Sequence, residues 1–492
     1  MSTVRTIAKN TIVLSLGQGI TSITGFIMIT FIARFIGDIG LGKLSFAQSS
    51  TALLVVFADV GLSTLTMREL ARRKDLTSKY LNNIILIKSF YSLVSIALIV
   101  LIINLMNYPA DTTMIVYLIG ISQIFGSFST FLRSIFRAFE KMEFEVYLNI
   151  GRSVIIAGAG LTVLLLGYGL TAVALVYIVG AFIDLVATLL VTTRKFARLK
   201  PGVDFGFWKQ VIPPALPFSV TAFVGLIYFQ IDIVMLSVIQ GDAPVGWYRV
   251  AYTIIYTLAV IPSLFSDSVS PVMSRLYSSS KDKLKVTMEK SAKFMFIIGL
   301  PIAVGSILLA NRIIPLVFGE GYESSIIALQ ILSLYLPLRC INNATGFILS
   351  SIDKEPLHAL SIAIAAATNI VLNFILIPRY SYAGAAAATA VTEIFLFAFY
   401  YYFVARHFHR LKLSPVLIRP CLACLVMGVF VYFLRNINLA ALVFSGAAIY
   451  FIVLYLIGGF NREDKAMFGN LMKGIVTGVP LINKLPGYFT KQ

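Results

Sequence analysis

Apolar runs of about twenty residues recur from one end of the chain to the other, and a helix of that length crosses a hydrocarbon core of about 30 Å. Read against turn and charge signals, the runs place spans near 11–33, 44–66, 83–106, 113–135, 148–168, 171–192, 212–236, 247–271, 293–315, 325–350, 357–378, 383–405, 415–434 and 439–459. The AVILMFWYC set makes up 58% of the residues and the charged set 13%, where a soluble domain carries roughly 25% charged residues. One core cannot hide that much apolar surface, because cores stop growing near about 250–300 residues. The expected fold class is an all-α integral membrane protein with about fourteen transmembrane helices. The first run, from Thr11 to Ala33, is too long for a signal-peptide core and lacks a small-x-small exit, so it reads as the first span.

A formal net charge of +18 would suggest nucleic acid in a soluble protein. Its distribution points to membrane orientation instead. With the N-terminus inside and loops alternating, 33 of the 40 Lys and Arg fall on the inside, counting Lys88, Arg133 and Arg137 with the loops. Outside lie Arg34, Lys43, Arg249, Arg312, Arg379 and Arg435, while Arg339 lies within a span. Both termini are then expected in the cytoplasm, in a multi-pass protein of the cell membrane with no nucleic-acid partner. No loop is long enough to hold a soluble catalytic domain.

The chain also repeats. Gly37-Asp38-Ile39-Gly40-Leu41-Gly42 precedes an apolar run ending in Met67-Arg68-Glu69-Leu70. Gly241-Asp242-Ala243-Pro244-Val245-Gly246 precedes one ending in Met273-Ser274-Arg275-Leu276. Six spans separate the copies, and an even number preserves orientation, so the halves should be related by an axis along the membrane normal with substrate between them. This divides the chain into six-helix bundles at 1–200 and 201–412, two further helices at 413–460, and a tail at 461–492. Met467, Phe468, Leu471, Met472, Ile475, Val476 and Val479 give that tail a helical apolar stripe, expected to lie on the cytoplasmic membrane surface.

Several motifs do not lead to chemistry. Gly37-x-x-x-x-Gly42-Lys43 opens like a phosphate loop, but Leu44 replaces the magnesium-binding hydroxyl and no strand precedes it. Cys421-x-x-Cys424 lies in an apolar span without neighbouring His, and with Cys340 gives neither a zinc set nor a disulfide framework. The sequon Asn343-Ala344-Thr345 falls within a span. His358, His407 and His409 flank cytoplasmic loops and are expected in water. The outer acids Asp38, Asp111, Asp242, Glu320 and Glu323 have no recognisable catalytic partner. A membrane glycosyl- or acyltransferase would need one, so no enzyme activity, catalytic residue, metal or cofactor is expected beyond a coupling proton or sodium ion.

Ionisable groups inside spans are expensive and normally face a cavity or a partner. Ser15, Gln18, Ser22 and Gly25 align on the first span; Ser45, Gln48, Ala52, Asp59 and Ser63 on the second; Thr221, Gly225, Tyr228 and Asp232 on the seventh. On the eighth, Arg249, Tyr252, Tyr256, Ser263, Asp267 and Ser270 share a stripe, with Pro262 placed to break the helix. The tenth carries Arg339, Asn342, Asn343 and Gly346, the eleventh Asn369 and Asn373, the twelfth Thr389 and Glu393. The hydroxyl positions are expected to serve interhelical hydrogen bonds, whereas Asp232, Asp267 and Arg339 are expected at a cavity. Asp59 and Asp267 lie near cytoplasmic ends where they can reach water, and Arg249 can alternatively anchor at the outer interface. Spans 1, 2, 7 and 8 are expected to line a central cavity whose charge is about as acidic as basic.

Local segments carry a family resemblance along nearly the whole chain. They are Ala33-Arg34-Phe35-Ile36-Gly37 through Gly42, Arg137-Ala138-Phe139-Glu140-Lys141-Met142, Asp232-Ile233-Val234-Met235-Leu236 and Val245-Gly246-Trp247-Tyr248. Further on come Phe318-Gly319-x-x-Tyr322, and Pro378-x-Tyr380 through Gly384-Ala385-Ala386. In this order the chain resembles the polysaccharide-exporter branch of the superfamily that includes multidrug antiporters and peptidoglycan-precursor flippases. The resemblance implies a V of two six-helix bundles plus two helices, moving lipid-linked oligosaccharide outward by alternating access. It implies a lipid-linked glycan substrate contacted by Gln18, Arg249, Tyr252, Tyr256, Arg339, Asn342 and Asn343, with coupling ions at Asp232, Asp267 or Glu393. Membrane lipids, a polysaccharide polymerase and glycosyltransferases are the implied partners of a monomer. The alternative within the superfamily is a cation-coupled multidrug exporter, disfavoured because the first span has no acid.

Overall fold

A computed structural model describes residues 3–199, 202–411 and 413–460, with side chains except at 3–12, 261, 263–268, 270, 271 and 413–416. The expected tail helix at 461–492 and the side chain of Asp267 lie outside the described residues. Six helices form the first lobe: α1 (Thr3–Asp59), α2 (Leu62–Arg72), α3 (Thr77–Leu105), α4 (Ala110–Ala138), α5 (Met142–Leu165) and α6 (Leu170–Lys195). Six form the second: α7 (Phe205–Gln240), α8 (Asp242–Leu258), α9 (Val260–Ser279), α10 (Lys281–Phe318), α11 (Ser324–Ser351) and α12 (Glu355–His407). Two more, α13 (Leu413–Phe433) and α14 (Leu439–Leu456), pack on α10. No strand occurs among the described residues.

Ten of these helices are long and apolar enough to cross a membrane. The fourteen expected passes are reached when α1 and α12, which each double back, count twice and the α8–α9 pair and the shorter α13 add one each. Gly37 (φ 84°, ψ −178°), in a region open essentially to glycine, turns α1 between the first two spans. Ser381 (φ 50°) turns α12 just after Pro378. α8 and α9 together make the eighth span. Its break falls where the sequence requires: the ring of Pro262 collides with the carbonyl four residues earlier, and α8 ends at that residue, Leu258. The second span is interrupted at Val60 (φ 47°) and Gly61 (φ 73°), and the Asp59 carboxylate accepts the Ser63 amide at 3.3 Å to start α2.

The two repeat turns meet. A Cβ on Gly42 would strike the backbone carbonyl of Asp242, and a Cβ on Gly246 would strike that of Asp38. The contact is reciprocal, and Gly241 (φ 84°, ψ −167°) has the backbone of Gly37. Trp247 Nε1 donates to Asp38 Oδ2 (2.8 Å), Arg34 Nε to the Val317 carbonyl (2.8 Å) and Tyr322 Oη to the Ala33 carbonyl (3.1 Å), all between lobes. One apolar cluster runs beneath this crossing from Met28 and Phe46 through Tyr248 to Leu336.

At the opposite end α7 crosses over. Its first turns place Phe207, Val211 and Ala215 among Leu62, Leu65, Tyr80 and Phe131 of the first lobe. Trp208 Nε1 donates to Asn83 Oδ1 (3.1 Å) and Lys79 pairs with Asp204 (2.8 Å). Beyond Pro213, Pro214 and Pro217, the same helix packs on α12.

Gly246→Ala should force the turns apart, since overpacking at a backbone contact costs about 1–3 kcal/mol. In a protein with Cys340, Cys421 and Cys424 replaced and Ala243→Cys added, soluble maleimide should label about tenfold faster, equivalent to about 1.4 kcal/mol. Equal rates with and without Gly246→Ala would show that this approach does not hold the turns.

Candidate functional site

Between the lobes lies a cavity of about 640 Å³, walled by the first arm of α1, by α7, α8 and α11. Gln18, Arg249, Tyr252, Tyr256, Arg339 and Asn343, all expected from the sequence, line it. Asn342 does not: it is buried, donating to the carboxylate (2.8 Å) and carbonyl (3.1 Å) of Glu393. The second span, expected in the wall, packs into its own lobe instead. It meets the wall helix α7 through Ser49 Oγ, which donates to Gln230 Oε1 at 2.8 Å, and through the ring of Phe57 against that of Phe223 (5.3 Å). Gln230, a wall residue that the stripe analysis omitted, sits between two positions that it included, Tyr228 and Asp232.

The charge of the wall differs from expectation. Its described side chains include two guanidinium groups and no carboxylate. Among the described residues, Glu393 and Asp232 of the neighbouring spans stand behind it, each held by partners. Glu393, 1% exposed as a side chain, accepts from Arg339 (2.6 Å), Tyr228 (2.6 Å) and Asn342. Arg339 is thereby neutralised, and its guanidinium covers the ring of Phe229 at 5.2 Å. Arg249 makes no ion pair among the described residues. Its buried Nε lacks a hydrogen-bond partner among the described residues, and Arg249 lines the cavity together with Tyr252 and Tyr256. The alternative of Arg249 as an interfacial anchor is replaced by a place in the cavity wall.

Asp232 is buried in the second lobe behind Tyr252. Its carboxylate accepts from Asn373 (2.5 Å), Thr389 (2.6 Å) and Tyr248 (2.9 Å), and Asn373 also donates to Asn369 (2.9 Å). These side chains come from α7, α8 and both arms of α12. One acid surrounded by amide and hydroxyl oxygens is a compact set of hard donors, which suits a small hard cation or a proton.

Other charges counted with the loops are inside the bundle. Lys88, fully buried, donates to Asp59 (2.5 Å) and Ser127 (2.9 Å), so Asp59 reaches a lysine and not only water. Arg133 pairs with Asp184 and donates to Asn149 (2.6 Å). Asp184 was the missed signal, a lone acid midway through the apolar run 171–192. His358 stacks on Tyr400 at 5.3 Å rather than standing in water.

Residues 7–277 match the family profile described as "Polysaccharide biosynthesis protein", more than half of the chain. The chain belongs to this family. Residues 217–375 also match the MatE profile. Among curated relatives, "Lipopolysaccharide biosynthesis protein WzxC" of Escherichia coli is 24% identical over 73% of this chain and 71% of its own. "Probable low-salt glycan biosynthesis flippase Agl15" of Haloferax volcanii is 23% identical over 73% and 75%. Among solved structures, "Lipid II flippase MurJ, inward closed conformation" superposes with a TM-score of 0.77 at 17% identity, covering 91% of this chain and 99% of that one. The chain shares the fold of that structure and is a multi-pass membrane protein.

Arg133→Met should strand Asp184 without its counter-charge and destabilise the first lobe by about 3–5 kcal/mol. Arg133→Met with Asp184→Leu should recover most of that loss. Thermal unfolding of the detergent-solubilised protein measures both, and an Arg133→Met midpoint equal to the parent's would contradict the buried pair.

Proposed function

We propose that this protein is a flippase that carries lipid-linked oligosaccharide or polysaccharide repeat units outward across the cell membrane for surface glycan assembly. The observation that carries this reading is the cavity wall, where Arg249 makes no ion pair among the described residues and no described carboxylate is present. A guanidinium offers a planar fork that suits phosphate or pyrophosphate. Gln18 and Asn343 supply neutral donors and acceptors, and Tyr252 and Tyr256 supply rings and hydroxyls, as a glycan requires. A cationic amphiphile would meet like charge here, which weighs against multidrug export. The names of the relatives, which refer to lipopolysaccharide and glycan biosynthesis, agree with this reading. The work is translocation, with the hydrocarbon tail left in the bilayer, and polymerase and glycosyltransferases acting before and after it.

The bias of Lys and Arg supports an orientation with both termini in the cytoplasm and the glycine crossing at the outer face. In the present conformation the cavity is then shut toward the outside, and delivery requires the crossing to part. The Asp232 cluster is the site at which a proton or sodium ion drives that change.

Deleting the gene should remove a surface glycan and leave its lipid-linked precursor on the cytoplasmic leaflet. Arg249→Ala should lower export at least about tenfold with unchanged membrane abundance, because a charge-assisted contact is worth about 1.5–3 kcal/mol. Arg249→Lys should fall between the two. Normal glycan together with altered resistance to cationic dyes would reassign the protein to drug export. In proteoliposomes carrying the lipid-linked substrate, Asp232→Asn should abolish the response to an imposed sodium or proton gradient, and an intact response would remove Asp232 from the coupling site.

A further inference from the structure

We infer that Tyr248 is a positioning residue that transmits occupancy of the Asp232 cluster to the glycine crossing. The inference rests on the proposed role of Asp232 as the coupling-ion site. Consecutive residues of α8 serve different parts of the molecule. Gly246 sits against the Asp38 backbone, and Trp247 donates to the Asp38 carboxylate (2.8 Å). Tyr248, 1% exposed, turns into the second lobe, where its hydroxyl reaches Asp232 (2.9 Å) and Thr389 (3.1 Å). Its ring stacks on that of Tyr252 (5.9 Å, 24°), which stacks on Tyr256 (6.3 Å, 21°) in the cavity wall.

Of the three donors to Asp232, only Tyr248 stands on a helix that forms the crossing. Asn373 and Thr389 belong to α12, which reaches the crossing through Tyr382 against the ring of Trp247 (5.4 Å). In this conformation the carboxylate receives hydrogens from all three side chains. A bound cation needs oxygen lone pairs directed at it, and a proton on the carboxylate turns an acceptor into a donor. Oδ2 accepts from both Tyr248 and Thr389, so a cation or proton on that oxygen takes a lone pair that one of these hydroxyls now holds. In this mechanism it is the hydroxyl of Tyr248 that turns or withdraws. Its ring is held in the stack on Tyr252, so withdrawal displaces the helix more than the ring. Gly246 has no slack toward Asp38, and a small shift of α8 therefore loosens the crossing. The ion acts through its different affinities for the two arrangements, as any ligand must.

The chain has two tryptophans, Trp208 and Trp247, so Trp208→Phe leaves an indole at the crossing as reporter. The full-length variant in detergent is titrated with sodium chloride against choline chloride at constant ionic strength, and separately acidified in choline chloride. Bound radioactive sodium or proton uptake is measured in parallel. Trp247 emission should change saturably with one of the two ions, and Asp232→Asn should abolish both binding and emission change. Tyr248→Phe should weaken ion binding no more than Thr389→Val does, while the emission change at saturating ion falls at least about fivefold. Thr389→Val removes a different donor and should weaken binding yet keep the full emission change at saturation. An undiminished emission change in Tyr248→Phe overturns the inference. Asp232-dependent binding that leaves Trp247 silent also overturns it, with the ion site intact. Absence of any Asp232-dependent binding removes the ion site and this coupling together.

Discussion

Gly42 and Gly246 each press a bare Cα against a backbone carbonyl of the opposite repeat, and the arrangement of both lobes follows from that contact. A methyl group at either position would overlap main chain, which cannot swing aside as a long side chain can. The approach is reciprocal because the two turns are copies, with Gly37 and Gly241 in the same glycine-only conformation. Around it the lobes share one apolar cluster, and Arg34, Trp247 and Tyr322 bridge them with hydrogen bonds. The cavity lies below this cap because first-arm α1, α7, α8 and α11 diverge from it.

Electrostatics sort the remaining polar groups. A charge within the bilayer needs a partner or water, and most charges here have found one: Lys88 with Asp59, Arg133 with Asp184, Arg339 with Glu393. Asp232 is served by three neutral donors. These pairings withdraw the described acids from the wall and leave Arg249 without an ion pair among the described residues. The sign of the cavity is thus set by the acids that are hidden as much as by the cations that are shown.

Hydropathy made the spans legible, because twenty apolar residues have few alternatives. Spacing of the Gly-Asp motifs revealed the repeat, and Pro262 foretold the break in the eighth span. The stripes gave a face for each helix without saying which neighbour meets it. Asn342 and Asn343 are adjacent in sequence, yet one serves Glu393 and the other the cavity, a difference of about 100° around the helix that only packing decides. Counting Lys88 and Arg133 as loop cations failed for a related reason. Residue order carries no depth: Lys88 lies about three turns inside α3 and Arg133 about one and a half turns inside the end of α4.

The crossover of α7 bears on how such a chain divides. Its opening turns fill a socket of the first lobe, among Leu62, Leu65, Tyr80 and Phe131, while its later turns complete the second. Neither bundle is a finished unit at the 200/201 junction. A gene cut there would yield an amino-terminal fragment with an open greasy trough and a carboxyl-terminal fragment with a loose helix. The two pieces would find their shape only in each other's company.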